Sequence, residues 1–221
     1  MKSLRKKSVH SRKLTYLTAF TMVLALAGCS NTDDESPDLE ETTDASVSDP
    51  VEYIPASEDG PAENVPEPRL PAETTEHSAR GAEATLKYFW DAEAYASLTG
   101  DSAPLDAVSS DSCAFCAESI EGWPSNYDQG YWSVTHGDIE VEVTETKYGV
   151  MEAEHEDVAF VYFSLKEPPT DFYDESGALL EGSFDSIERR NWIAELIYDD
   201  EEQSWIVKGL GLEEIPAEED S

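Results

Sequence analysis

Val158-Ala159-Phe160-Val161-Tyr162-Phe163-Ser164-Leu165 is an unbroken, mainly apolar octet in a chain whose mean hydropathy is −0.50. Its length suits a strand rather than a helix, and β-branched and aromatic side chains fill it. The octet therefore predicts a central strand covered on both faces. Upstream, Ile139, Val141 and Val143 alternate with Glu140, Glu142 and Thr144, a period of two that marks a half-buried antiparallel strand. Downstream, Arg190 to Tyr198 and Ser204 to Leu210 read as two strands about an Asp199-Asp200-Glu201-Glu202-Gln203 turn. Asp174-Glu175-Ser176-Gly177 reads as a turn joining two short edge strands.

Before these strands the period is 3.6. A long helix is expected between Thr75 as N-cap and Gly100 just past its end, with no proline between them. Ala79, Ala82, Leu86, Phe89, Trp90 and Ala96 fall on one side of it, and Glu93 interrupts that stripe. A short helical piece is expected over Pro104 to Val108. A third helix should run from Asp111 to Glu121, capped by Ser110 or Asp111 and stopped by Gly122 and Pro124. Helices first and a strand meander after them give an α+β fold, with N-terminal helices packed on a curved antiparallel sheet.

The chain has 49 Asp and Glu against 14 Lys and Arg, and six of those bases lie within the first 28 residues. Such acidity excludes nucleic acid as a partner and disfavours anionic lipid surfaces as electrostatic ones, since both need clustered Lys and Arg. Lys2, Arg5, Lys6, Lys7, Arg12 and Lys13 precede an apolar run from Leu14 to Ala27, too short to span a bilayer but suited to an export signal. Leu26-Ala27-Gly28-Cys29 resembles the lipobox of bacterial lipoproteins. That resemblance implies cleavage after residue 28 and a diacylglyceryl thioether on Cys29, with acyl chains such as palmitate holding the protein in the membrane.

Residues 29–69 then form an acidic spacer rich in Pro, Ser and Thr, whose few apolar side chains cannot offset the entropy of ordering. As a flexible coil it reaches about 35 Å. The folded body is placed at 70–216 and an acidic tail at 217–221. The expected location is the extracytoplasmic face of the cell membrane.

The runs Tyr88-Phe89-Trp90, Tyr95-Ala96-Ser97-Leu98-Thr99-Gly100-Asp101 and Ser112-Cys113-Ala114-Phe115-Cys116 resemble an uncharacterised domain family of actinobacterial lipoproteins, over roughly Pro71 to Ile215. That family in turn resembles cone-shaped nuclear-transport-factor-like (SnoaL-like) proteins. The resemblance implies a cone-like α+β body with a pocket and carries no established activity. This chain differs from the family in its extreme acidity.

Three groups of residues bear on chemistry. In an exported protein, Cys113 and Cys116 at i and i+3 should be oxidised, forming a local staple at a helix start. The competing reading is a thioredoxin-like redox pair, but the preceding residues are polar and contain proline where that motif follows a buried strand. A zinc site would need two further ligands that are not apparent. Glu93, with Phe89 and Trp90, marks a candidate pocket where a carboxylate would act as acid, base or ligand anchor; the plainer expectation is that Glu93 reaches water near the helix end. Trp123, Tyr127, Tyr131 and Trp132 read as core more than as a carbohydrate-stacking surface.

No serine-nucleophile elbow, phosphate-binding glycine loop or paired-histidine zinc helix occurs, so no cofactor or metal is expected. The favoured reading is a non-catalytic binding module of the cell envelope, taking an envelope protein or a small molecule. The alternative is an enzyme, either a Cys113/Cys116 thiol–disulfide oxidoreductase or an acid–base catalyst using Glu93.

Overall fold

In the computed structural model, residues 52–151 and 156–212 are described, all of them in the unit Ser48–Ser221. The export signal, Cys29, the spacer up to residue 51 and the tail 217–221 lie outside the described residues. A 3-10 turn, Ala72–Thr75, precedes α1, Ala79–Thr99. The cap of α1 is Ser78 rather than Thr75: the 3-10 turn already uses Thr75, and the extended Ser78 accepts from Gly81 N–H at 3.3 Å. Gly100 ends α1 as expected, at φ 72°, and a Cβ there would lie 2.6 Å from the Tyr127 ring. Both the left-handed turn and the close approach require glycine.

A four-residue helix α2, Ala103–Asp106, leads to α3, Ala114–Asp128. The cap of α3 is Cys113, and the helix passes Gly122 and Pro124 where it was expected to stop. The reason lies across the fold. Pro124 has no N–H for the Ile120 carbonyl, and the Ser102 hydroxyl donates to that carbonyl instead, at 3.0 Å. With its freed carbonyl satisfied, the helix continues for another turn.

Six strands follow: β1 Trp132–Thr135, β2 Glu140–Met151, β3 Glu156–Glu167, β4 Thr170–Tyr173, β5 Ile187–Asp199 and β6 Ser204–Leu212. They form a four-stranded antiparallel sheet ordered β2-β3-β5-β6 and a separate antiparallel pair β1-β4. The architecture is α+β. At the β5–β6 turn, the Asp199 carboxylate accepts from Glu201 and Glu202 N–H, as that acidic hairpin predicts.

The apolar octet does occupy an inner strand, β3, but its two faces differ. Ala159, Val161, Phe163 and Leu165 are buried in the core with Leu86, Phe89 and Trp90 of α1, whereas Phe160, Tyr162 and Ser164 on the other face are half-buried. The described helices cover one side of the sheet only; on the other, Lys147 Nζ stands 4.4 Å from the Tyr162 ring centroid.

The segment before α1 also differs from expectation. Residues 54–63, assigned to the spacer by composition, form a tight turn with Ile54 and Glu63 exchanging backbone hydrogen bonds of 3.0 and 2.9 Å. The Trp132 indole donates to Ser57 O at 2.8 Å and ties this turn to β1. Composition registers none of these three bonds.

Candidate functional site

Glu93 lies on the face of α1 that the stripe of Ala, Leu, Phe and Trp turns inward. It is buried, with 9% of its surface exposed, so it does not escape to water as the plainer expectation held. Two side chains of α3 meet it: Trp123 Nε1 donates to Glu93 Oε1 at 2.9 Å and Ser119 Oγ donates to the same oxygen at 3.1 Å. Ser119 and Trp123 are four residues apart, hence one above the other on a helix face. They hold that register because α3 continues through Gly122. Glu93 Oε2 is buried and has no hydrogen-bond partner among the described residues.

Burial pushes the Glu93 carboxyl above its ordinary value, the bonds from Trp123 and Ser119 pull it back, and the Glu167 charge adds to the rise. On the outer side of the same turn of α1, Asp91 is also raised, by partial burial and by Asp138.

Glu93 lines a cavity of about 510 Å³, within the size range of small-molecule sites. Trp90, Phe115, Trp123, Phe172 and Phe184 give it aromatic walls, and Tyr53 and Pro55 from the N-terminal turn form another side. The Trp123 and Phe172 rings stack at 6.4 Å between centroids, 21° from parallel. Arg189 is the cation of the lining, and its guanidinium is bonded to Glu167 Oε2 at 2.5 Å.

Of the candidate pocket residues, Trp90 and Glu93 line this cavity. Phe89 does not; it is wholly buried among core side chains. The suspected aromatic cluster stays together around a smaller hollow lined by Trp123, Tyr127, Tyr131 and Trp132, and Trp123 also lines the Glu93 cavity; the Tyr127 hydroxyl donates to Ser97 O at 3.2 Å and the Trp132 indole to Ser57 O. That smaller hollow has a volume of about 240 Å³. Sequence reasoning missed Ser119, Phe172, Phe184 and the N-terminal turn; a carboxylate interrupting a buried stripe was the available signal, and it located α1's contribution alone.

Cys113 and Cys116 are joined in a disulfide, with Cα atoms 5.2 Å apart. Their exposures are 1% and 0%, and Cys113 Sγ also accepts from Cys116 N–H at 3.2 Å as the helix cap. Neither sulfur faces the cavity. Among the described residues no group of three or more His, Cys, Asp or Glu is placed to hold a metal ion.

Among solved structures, the chain is similar to the intermembrane space region of the chloroplast protein ARC6, at 13% sequence identity and a TM-score of 0.40, covering 61% of this chain and 95% of that one. A likeness of that degree carries no argument about activity. No curated protein matches the chain. The model of DUF6318, a family of unknown function, matches residues 51–210 and so takes in the N-terminal turn together with α1, α3 and both sheets; the chain belongs to that family.

Proposed function

We propose that this protein is a lipid-anchored, extracytoplasmic binding module whose small-molecule ligand occupies the cavity beside Glu93. One observation carries the reading: a hollow of about 510 Å³ with aromatic walls holds a buried carboxylate that two donors position and leave half unpartnered. Largely apolar walls with a few oriented polar groups are what a small-molecule site requires. The cavity and the disulfide are separate, and the burial of both sulfurs denies an incoming thiolate the access that exchange needs, which favours the staple over the oxidoreductase. The raised Glu93 carboxyl favours an acid–base catalyst as second reading, yet Glu167, the carboxylate whose charge acts on it, is bonded to Arg189.

The test uses an uncharged fluorescent probe, N-phenyl-1-naphthylamine. Its emission should rise on binding at one site per chain, and Ala94→Trp, which fills the cavity from α1, should abolish the rise. No saturable binding to the natural protein, or binding untouched by Ala94→Trp, would overturn the cavity as the binding site.

A further inference from the structure

We infer that the ligand of this cavity is a protonated amine on a small aromatic or aliphatic body, its N–H directed at Glu93. The inference rests on the cavity being the binding site, as proposed above, and adds the ligand's chemistry. The first support is the unsatisfied acceptor, Trp90 Nε1 being the buried donor of the lining that likewise has no partner among the described residues. Glu93 is nine-tenths buried, and Trp123 and Ser119 both donate to Oε1, which leaves Oε2 with no partner among the described residues. Leaving a buried acceptor unsatisfied is costly, and an ammonium N–H is the donor that both completes and neutralises it.

The second support is the charge of the walls. Asp91, Glu93, Asp138 and Glu167 line the cavity against Arg189 alone, and Arg189 is already bonded to Glu167. An anionic ligand would meet four carboxylates, so the sign of the ligand is fixed by repulsion as much as by attraction. The third support is the surface that remains. Trp90, Trp123 and Phe172 present rings to the cavity, and aromatic faces attract a cation while packing on its apolar body. A divalent metal is disfavoured, because no cluster of three ligating side chains exists among the described residues. The chain's net charge of −35 would also draw a small cation toward the site from solution.

The experiment is displacement of N-phenyl-1-naphthylamine at neutral pH by 2-phenylethylammonium and by its uncharged near-isostere 2-phenylethanol. The amine should displace the probe at a concentration at least tenfold lower than the alcohol. Glu93→Gln should bring the two within about twofold of each other while still binding the probe, and Asp138→Asn, a rim change that leaves the buried contacts in place, should narrow the gap by about two- to threefold. Equal displacement by amine and alcohol in the natural protein, or stronger displacement by a neutral sugar such as methyl glucoside, would overturn the amine and leave the cavity reading standing. A protein that binds no probe would overturn the cavity reading itself. Were Glu93→Gln to fail to fold, an undiminished amine preference in Asp138→Asn together with loss of that preference at high salt only would count against a role for the buried carboxylate.

Discussion

Glu93 is the residue at which folding and binding make opposite demands. Its carboxyl is held above the ordinary value of 4.5, chiefly by burial, so the folded chain binds that proton more tightly than the unfolded chain does. The contribution of Glu93 to stability should therefore be fully present below the ordinary carboxylate range and be lost as pH rises through the raised folded value. Glu93→Gln keeps an oxygen for Trp123 and Ser119 and removes the ionisation. At neutral pH this variant should melt a few degrees above the natural protein, where each kcal/mol is worth about 2–4 °C, and the gap should close toward pH 4. Paired melting curves from pH 4 to 8 check this, and subtraction cancels the many carboxylates common to both chains. Equal pH dependence in the two would show that Glu93 stays ionised and solvated. The interruption of the apolar stripe at position 93 was readable from spacing alone. Its burial was not, because the two donors that make burial tolerable come from another helix, and one of them, Trp123, lies past the Gly122 where that helix was expected to stop.

The helices and strands were legible wherever one period ran unbroken. The Asp199–Gln203 hairpin, the alternation from Ile139 and the Gly100 terminus all appear where local chemistry puts them. The errors fall where a distant partner overrides a local rule. Pro124 sits inside α3 because Ser102, 18 residues before Ile120, satisfies the carbonyl that proline orphans. Thr75 loses the cap of α1 to Ser78 because a 3-10 turn forms first. The Cys113–Cys116 disulfide belongs to this scale, since it closes the first turn of α3. So small a ring removes little freedom from the unfolded chain, about 2 kcal/mol by the loop-entropy relation. Replacing both cysteines by alanine should lower stability by about that amount plus a smaller loss from packing. In the folded protein, dithiothreitol should leave the bond intact until denaturant is added, and insulin reduction should not be accelerated. Thiol labelling with and without denaturant reads the first expectation directly; ready labelling of the native, reduced protein would return the pair to redox chemistry.

At the scale of the whole molecule, what was readable was class and charge rather than chemistry. The proposed export route rests on contiguous sequence, six bases, an apolar run and Leu26-Ala27-Gly28-Cys29, while a cavity assembled from α1, α3, β1, β4 and the N-terminal turn has no contiguous signature. The proposed anchorage predicts that protein recovered from its natural membranes begins at Cys29 and carries a diacylglyceryl thioether there, with Cys29→Ser leaving the leader uncut. Intact-mass measurement checks both, and an unlipidated chain retaining residues 1–28 would refute the anchorage. The turn of residues 54–63 joins this scale to the smaller ones. Its Pro55 and the preceding Tyr53 contribute to the cavity, Trp132 fastens it, and in sequence it follows the stretch that starts at Cys29, the proposed lipid attachment. Under that anchorage, a pull on the stalk bears directly on one side of the binding chamber. By reciprocity, an occupant gripping that side would resist the pull, so mechanical load and residence time would trade against each other.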